Sequence, residues 1–444
     1  MPSPRSPLNR GTRLASVAAL AFAASGIAGG ASTYDATPDN YRRMLRELRP
    51  GDTLALAPGR YAHGLPLHGL GGDPDHPITI AGPAQGPPAL FVAERGHNTV
   101  SIVDSHDIVV KNLELDGRDL PVDGVKCEGQ ARYAHHVTLE NLSIRRYGNN
   151  QQTVGISTKC PAWNWIIRGN TIVGAGTGMY LGNSDGTAPF VAGLIERNLV
   201  VDTIGYNLQI KHQIRRPDVP GLPQTSVTTI RHNVFSKAAG GSTDLPRPNV
   251  LVGHFPPFGD GVGDRYAIYG NFFYANRDEA LFQGEGNIAL YSNLFVNPYG
   301  DAIHIQPHND IPKQVDIAFN TVLAERTGIR VVTGMRGSAY RQSVVGNLVF
   351  AATPLVGGDQ AGNFAGPFAD ADRYLVQPFG YPGEIDLVPR APLTSYDAEA
   401  RNPGRLPDWD RDFNGGPRMP GAIGAYSTAG MNPGWHPALS LMPD

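Results

Sequence analysis

The sequence predicts an all-β protein built as a right-handed parallel β-helix, in which the chain winds in stacked coils. Short β-rich runs, each with an asparagine at a fixed place, recur along most of the 444 residues, and self-similarity at a period of about 20–50 residues is typical of a solenoid. The runs lack the helical spacing of apolar residues, which favours strands. The 54 glycines and 38 prolines indicate the many turns that such a coil needs.

The repeat is anchored on one asparagine in each unit. Nine runs, such as VVKNLEL and TLENLSI, align on it with successive spacings of 29, 29, 28, 35, 38, 22, 27 and 27 residues. Asparagine tolerates the left-handed backbone conformation and hydrogen-bonds neighbouring backbone groups, and stacked asparagines form amide ladders. We therefore assign these residues a structural role. They are Asn112, Asn141, Asn170, Asn198, Asn233, Asn271, Asn293, Asn320 and Asn347.

A second strand follows each asparagine after a turn, as in GVKCE (124–128) and NLQIK (207–211). Because side chains alternate between the two sides of a strand, the inward positions are predicted to be aliphatic, with Gln283 as the polar exception. The outward positions and the residues just after them are predicted to form a polar stripe rich in cations. Its members are Lys126, Glu128, Ser157, Lys159, Tyr180, Gln209, Lys211, His212, His254, Glu285, His304, Gln306, His308 and Arg330.

The β-helix domain is predicted to span residues 32–357. Near its start, the segment TPDNYRRMLRELRPG predicts a capping helix at 37–50, with Thr37 as N-cap and Pro38 at the first helical position. Such a helix would cover the exposed end of the core, as a solenoid requires. Residues 358–444 form a Pro/Gly-rich tail without the repeat, and we expect it to pack on the last coils.

The first 31 residues have the pattern of a secretory signal peptide. Arg5, Arg10 and Arg13 precede the short apolar run 14–28, and small residues follow. The run is short for a membrane span, although an uncleaved anchor is the alternative. The pattern predicts a bacterial protein that is periplasmic or secreted, with no membrane span after cleavage.

Two cysteines, Cys127 and Cys160, are placed on neighbouring coils by the repeat. In an oxidising compartment they could pair as a disulfide, and two separate buried thiols are the alternative. The net charge of −3 argues against nucleic-acid binding, which usually needs a strongly basic face. We expect a monomer.

Two segments near the start resemble a known family, and a third near the end resembles a wider group of β-helix proteins. The segment LRPGDTLALAPGRY (48–61), followed by GGDPDHPITIAGP (71–83), resembles the opening of bacterial β-helix proteins of the chondroitinase B and alginate lyase type, polysaccharide lyase family 6. The segment DFNGGPRMPGAIGAYS (412–427) resembles the closing segment of many secreted right-handed β-helix proteins. The resemblance is specific for the fold and only suggests lyase activity, because the fold hosts several activities and also binding proteins.

The resemblance also implies catalytic residues. In the family, a lysine on the sheet of second strands acts as base, and an arginine on the next coil assists it. Lys211 stands where such a lysine would, and the next coil offers His254 in place of arginine. We therefore expect Lys211, His212 and His254 to be catalytic. Arg215 and Arg216 on the adjoining loop could substitute for the missing arginine.

Long loops are predicted to wall a groove around Lys211: they are 212–226, 236–248 and 254–265. A groove lined by cations suits an anionic, uronate-containing polysaccharide or oligosaccharide. The residues expected to bind it are Lys159, Tyr180, Gln209, Arg215, Arg216, His304, His308 and Arg330. Calcium is left open as a cofactor: the family's calcium-binding carboxylates are not evident, and Glu285 is an isolated candidate ligand.

Other functions remain open beside a lyase. A non-catalytic glycan-binding or cell-envelope protein would keep the groove without needing a base and an acid. A glycoside hydrolase needs two carboxylates about 5–10 Å apart, whereas the stripe supplies only Glu128 and Glu285, several coils apart. Asp260 and Asp264 on a groove loop are the best replacements. A mannuronan epimerase is a further alternative, because IQPHND partly resembles the DPH motif of those enzymes.

Overall fold

The computed structural model describes residues 30–332, 340–398 and 402–443, so the predicted signal peptide lies almost wholly outside the described residues. The chain winds as a parallel β-helix, as predicted, and strands of successive coils pair in parallel along three faces. The strands of the first face are Thr33–Ala36, Thr53–Leu56, Ile78–Ala81, His106–Lys111, Ala134–Glu140, Ala162–Trp163, Ile166–Arg168, Phe190–Val191, Leu194–Glu196, Val227–Arg231, Arg265–Tyr269, Gly286–Tyr291, Pro312–Ala318, Gln342–Val345 and Asp359–Ala361.

The second face follows a turn after each strand of the first. Its strands are Gly59–Tyr61, Ala89–Val92, Leu113–Asp116, Ser143–Arg145, Thr171–Val173, Leu199–Val201, Val234–Ser236, Phe272–Tyr274, Leu294–Asn297 and Phe364–Gly366. The third face comprises the predicted second strands. They are Leu65–His68, Val100–Val103, Val125–Glu128, Val154–Thr158, Thr177–Leu181, Leu208–Ile210, Val250–Val252, Phe282–Gly284 and Ile303–Ile305. Two long strands, Thr321–Val331 and Leu348–Val356, serve both of these faces in the last coils.

A short helix, α1 (Tyr41–Met44), covers the N-terminal end of the core. The ring of Tyr41 lies 5.1 Å from that of Tyr61 and 5.8 Å from that of Phe91, so the helix caps the solenoid as expected. It is much shorter than the predicted 37–50. The strands Thr33–Ala36 and Thr53–Leu56 are neighbours in the first face, so the chain between them must turn back quickly. The Thr37 side chain does not cap the helix.

The asparagine ladder is present, but it begins later than predicted. Each amide donates from Nδ2 to Oδ1 of the next asparagine at 2.9–3.0 Å along Asn170, Asn198, Asn233, Asn271, Asn293, Asn320, Asn347 and Asn363. Asn112 and Asn141 instead occupy the preceding, left-handed position, with φ of 57° and 53°. Their counterpart in the next coil is Gly169, with φ of 63°. The assignment of these two asparagines to the ladder was therefore wrong by one residue.

The predicted register of the third face was also wrong by one residue in one coil. Phe282 pairs with Val250, and Gly284 with Val252, so these two positions face the core. Gln283 pairs with Leu251 and lies on the outward side, half-buried. The run ALFQGE alternates equally well in either register, and only pairing with the neighbouring coil distinguishes them.

The tail packs on the outside of the later coils. Apolar residues on the outer side of the second face, such as Phe272 and Leu294, share a buried cluster with Leu387, Ile423 and Tyr426 of the tail. On the first face, Tyr269, Tyr291 and Phe319 share a cluster with Leu406 and Trp409. Neither cluster includes an outward residue of the third face, so the tail leaves that face available.

The tail contains little regular structure of its own. Its elements are a 3₁₀ helix, Phe368–Asp370, the helix α2 (Ala371–Tyr374), and an antiparallel pair of strands, Leu375–Gln377 and Asp386–Pro389. The coils continue to Phe364–Gly366, nine residues past the predicted boundary at 357. Within the part of the chain that the structure describes, no helix has the length and apolar character needed to cross a membrane.

Cys127 and Cys160 are both buried free thiols, and their Sγ atoms lie 2.6 Å apart between adjacent coils. We predict that they pair when the protein is treated with oxidised glutathione. The oxidised protein, once unfolded, is expected to expose no reactive thiol, and its mass should fall by two hydrogens. Cys160→Ala should keep one titratable thiol. Two thiols that still titrate after oxidation would contradict the bridge.

Candidate active site

One outward side chain from each coil stacks along the third face. Strand pairing aligns Lys126 with Ser157, and Tyr180 with Gln209. The complete row runs through Ser101, Lys126, Ser157, Tyr180, Gln209, Leu251, Gln283, His304 and Arg330. Since neighbouring strands are about 4.8 Å apart, the row forms a long polar floor that is interrupted by one apolar residue.

A second row lies one residue beyond the strand ends, and it brings two lysines together. Lys159 and Lys211 hold equivalent positions two coils apart, and Gly182 lies between them. Gly182 has φ of +94°, and a Cβ there would lie 3.1 Å from Cβ of Lys211. Because this coil carries no side chain in the row, both lysines can reach Tyr180. The ring centroid of Tyr180 lies 3.4 Å from Nζ of Lys159 and 5.9 Å from Nζ of Lys211.

Lys159, Tyr180 and Lys211 line a cleft of about 510 Å³. Its lining residues are Asp123, Lys126, Gln151, Gln152, Val154, Lys159, Thr177, Tyr180, Ser184, Tyr206, Gln209, Lys211, Arg247 and His308. The lining contains three lysines and one arginine but a single carboxylate, that of Asp123. The lining therefore offers an anionic ligand strong electrostatic attraction.

Burial lowers the pKa of both lysines in the second row. The pKa of Lys159 is lowered to about 8, chiefly by burial, which the carboxyl group of Asp123 opposes and the charges of Lys126 and Lys211 reinforce. Burial likewise lowers the pKa of Lys211; Glu285 opposes this effect and Arg247 adds to it. A lysine with a lowered pKa can act as a base near neutral pH, which an ordinary lysine does poorly.

The pKa of Tyr180 is shifted in the opposite direction. Burial raises its pKa, and its hydroxyl is hydrogen-bonded to Ser184 Oγ at 2.8 Å. A phenol with a raised pKa keeps its proton and can donate it to a leaving oxygen. The cleft thus contains a potential base and a potential acid on the same floor.

Arg247 was not among the predicted site residues. Its guanidinium carbon lies 5.7 Å from the ring centroid of Tyr206. Its backbone carbonyl accepts hydrogen bonds from Nζ of Lys237 at 2.8 Å and from Nδ2 of Asn276 at 2.9 Å. The side-chain amide of Gln151 also donates to the carbonyl of Leu245 at 3.0 Å. These bonds fix the loop 237–248 beside the cleft, and the sequence signalled only that this loop is long.

The predicted pair of catalytic histidines does not line the cleft. The rings of His212 and His254 lie 5.3 Å apart and pack on each other. His254 is only 6% exposed, and its Nδ1 contacts the carbonyl of Phe255 at 2.7 Å. The ring of His254 is therefore buried and is not among the residues that line the cleft. His212 lies beside the backbone of Gly186.

Arg216 is also not available to a ligand. Its side chain is 2% exposed and forms a buried ion pair with Asp264. Asp264 accepts further hydrogen bonds from Ser226, at 2.7 Å from the backbone N–H and 2.6 Å from the hydroxyl. The assignment of Arg216 to substrate binding was wrong, since the pair instead joins two loops. Asp264 is equally unsuited to be a hydrolase carboxylate.

Removing one member of this ion pair is expected to be costly. We predict that Asp264→Ala destabilises the protein by about 3–5 kcal/mol, because Arg216 would be left as an uncompensated buried charge. Urea unfolding followed by circular dichroism measures this change. Asp260→Ala, on the exposed part of the same loop, is the matched control and should change stability little. An unchanged unfolding midpoint for Asp264→Ala would contradict the structural role.

Glu285 is a structural carboxylate and does not fit calcium. It is 1% exposed and accepts backbone N–H groups from His308 at 3.0 Å, Asn309 at 2.7 Å and Asp310 at 2.9 Å. The side chain of Asn309 also donates to it at 3.3 Å. Calcium takes six to eight oxygen ligands, whereas these donors already occupy the carboxylate. Glu285 therefore holds the backbone of residues 308–310 in place.

Three remaining predicted binding residues lie outside the cleft lining. His304 is 7% exposed, and its Nε2 lies 3.6 Å from the carboxylate of Asp301. Arg330 is exposed in the last coils beside His304. Arg215 is exposed on the loop that follows Lys211. Lys159, Tyr180, Gln209, Lys211 and His308 are the predicted residues that the structure brings together.

Comparison with known proteins gives a likeness of fold only. No protein-family model matches the sequence, and no curated protein matches it. Among solved structures, an alginate lyase from Paenibacillus sp. is 17% identical with a TM-score of 0.40, and the match covers 62% of this chain and 98% of that one. An alginate lyase of the PL6 family is 14% identical with a TM-score of 0.48, covering 91% of this chain and 60% of that one.

A lacto-N-biosidase of family GH136 from Eubacterium ramulus is also similar, at 12% identity and a TM-score of 0.41, with 76% of this chain and 68% of that one covered. Similar structures thus include both lyases and a glycosidase. The predicted resemblance to polysaccharide lyase family 6 is confirmed as a resemblance of parallel β-helix architecture.

Proposed function

We propose that the protein binds an anionic, uronate-containing polysaccharide in the cleft of the third face and cleaves it by β-elimination. The observation that carries the proposal is the position of Lys159 and Lys211. Both amines lie near the ring of Tyr180 and both have a lowered pKa. Lys126 and Arg247 add two further cations to the lining.

The chemistry assigns a role to each group. The carboxylate of a uronate is neutralised by Lys159 and Arg247, which makes the adjacent C–H bond more acidic. Lys211 in its neutral form takes that proton, and the electrons form a C=C bond as the bond to the linking oxygen breaks. The Tyr180 hydroxyl protonates the departing oxygen. We assign Lys211 as base because Lys159 lies directly on the ring of Tyr180.

A glycoside hydrolase is less well supported by the lining. Hydrolysis of a glycosidic bond requires two carboxylates about 5–10 Å apart. Of the described residues that line the cleft, Asp123 alone carries a carboxylate. Glu128 lies nearby, but its carboxylate is 3.1 Å from Nζ of Lys126 and so is ion-paired. A non-catalytic glycan-binding protein would use the same cations without proton transfer.

The proposal is tested by following ultraviolet absorbance with a panel of polyuronates and glycosaminoglycans. A rise reports the unsaturated uronate that β-elimination forms, and a chelator should not prevent it. New reducing ends without a rise would indicate a hydrolase. Binding without either product would indicate a glycan-binding protein, and no binding to any anionic glycan would overturn the proposal.

Binding of the glycan is expected to weaken as pH rises through about 8. Burial lowers the pKa of Lys159 to about 8, so its ammonium is charged below that pH and neutral above it. Calorimetry on both sides of pH 8 measures the change. Lys159→Arg keeps its charge at both pH values and should bind with a weaker pH dependence. An equally steep dependence in this variant would remove Lys159 as its cause.

We also propose that the protein is exported to the periplasm or beyond and works as a monomer. Support for export comes from the basic and apolar pattern of residues 1–31. Fractionation of cells that express the full chain, together with the N-terminal sequence of the mature protein, tests this. Retention of residues 1–31 in the cytoplasmic fraction would overturn it. Light scattering tests the oligomeric state.

A further inference from the structure

A cluster of metal-ligating side chains lies on the first face, away from the cleft. Two adjacent pairs, His106–Asp107 and His135–His136, occupy neighbouring coils, and His135 pairs in register with His106. One ligand atom from each of His106, Asp107 and His135 lies within 4.8 Å of the others. His136 borders this group of three, since its Nδ1 lies 2.9 Å from Nδ1 of His135.

The backbone explains why the rings of His106 and His135 stay out of the core; Asp107, beside them, is 6% exposed. Ile108 and Val137 point into the core, and regular alternation would direct His106 and His135 there as well. Asp107 and His136 both have φ of 50°, in the left-handed region. This conformation interrupts the alternation and leaves each histidine outside.

Two contacts resemble the surroundings of a metal-bound histidine. His106 Nδ1 lies 2.8 Å from a carboxylate oxygen of Asp107. The amide of Asn164 lies 2.9 Å from Nε2 of His136. Turning that amide over would let its oxygen accept the Nε2–H of His136, which frees Nδ1 of His136 for a metal. Such second contacts fix the ring orientation of metal-bound histidines.

We propose that His106, Asp107, His135 and His136 bind one divalent transition-metal ion of the zinc type. Imidazole nitrogens favour such ions over calcium or magnesium. Ligand atoms of a tetrahedral zinc site lie about 3.3–3.5 Å apart, so separations of up to 4.8 Å must shorten by more than about 1 Å when the ion binds. The rings of His106 and His135 stack at 4.8 Å, and they must also turn so that their lone pairs converge.

The site is independent of the proposed glycan cleavage. The site joins two coils on the first face, whereas the cation-lined cleft lies on the third. A metal there would cross-link those coils and contribute binding energy to the folded state.

The test is calorimetric titration of the metal-free, full-length protein with zinc in the presence of a competing chelator. We expect one ion per chain and an affinity at least about tenfold weaker in His136→Asn, by analogy with losses on removing metal-site partners. Asparagine tolerates the left-handed conformation, so this variant should fold. His436→Ala, an exposed histidine in the tail, is the matched control.

Cobalt provides a second readout. The cobalt-loaded protein should show the visible absorption of a low-coordinate site, and His135→Ala should lose it while thermal melting confirms that the variant is folded. Excess calcium should not compete. Equal zinc affinity in wild type and His136→Asn, or binding lost equally in His436→Ala, would overturn the proposal and leave only ordinary surface histidines.

Discussion

Replacing Lys211 with alanine is expected to lower the turnover number for glycan cleavage by about 10²–10⁴-fold, the usual contribution of a positioned base. The Nζ atom of Lys211 lies 5.9 Å from the centre of the Tyr180 ring, and burial lowers the pKa of Lys211, which favours the neutral amine that the proposed elimination needs. Initial rates of the absorbance rise measure the effect. The unfolding midpoint should hardly change, because the side chain is half-buried on an outer surface.

Lys111→Ala is the matched control for this prediction. Lys111 ends a strand of the first face and is also half-buried, so its loss should leave cleavage unaltered. Full activity in Lys211→Ala would mean that Lys159 or another group is the base. Loss of the native circular dichroism spectrum would mean that the strand register around Lys211 is wrong.

The second large effect is expected in the asparagine ladder. The Nδ2 group of Asn271 donates to the carbonyls of Ile230 and Tyr269 and to Asn293 at 2.9–3.0 Å. Its Oδ1 accepts from the backbone N–H and the amide of Asn233, both at 2.9 Å. Asn271→Ala leaves several buried groups without partners, each costing about 1–3 kcal/mol. We therefore predict destabilisation by about 3–5 kcal/mol in urea unfolding.

Asn141→Gly separates the ladder from the general effect of losing an asparagine. Asn141 is exposed and has φ of 53°, which glycine adopts readily. We expect this variant to unfold within about 1 kcal/mol of wild type. Similar losses at both positions would contradict the assignment of Asn271 to the ladder and of Asn141 to the turn.

The repeat predicts the fold because it is a local property of the sequence. Each coil repeats the same sequence pattern. The spacing of Asn233, Asn271 and Asn293 therefore indicates that the coils stack, without any knowledge of which distant residues are in contact. The errors in register arose where a residue fits two neighbouring positions of the coil equally well. Asn141 suits either a left-handed turn or the ladder, and Gln283 fits either side of its strand until its neighbours are known.

The site was predicted less well for a related reason. Lys159, Tyr180 and Lys211 follow from strand alternation, since they lie on or just beyond strands of the regular coils. The burial of Arg216 depends on Asp264, 48 residues away. Arg247 reaches the cleft through a loop held by Lys237 and Asn276. No sequence period encodes contacts between loops, so these residues become identifiable only in the structure.

The arrangement of the tail bears on the order of events during folding. Coils can stack as the chain emerges from its N-terminal end, because each one contacts mainly its neighbours. The outer apolar surface at Phe272 and Leu294, however, shares its buried cluster with tail residues that extend from Ala371 to Met442. Until the tail has emerged, the chain therefore carries an assembled solenoid whose outer apolar surface is exposed. Premature termination before residue 385 should yield aggregates that engage chaperones, even though every coil of the cleft is already complete.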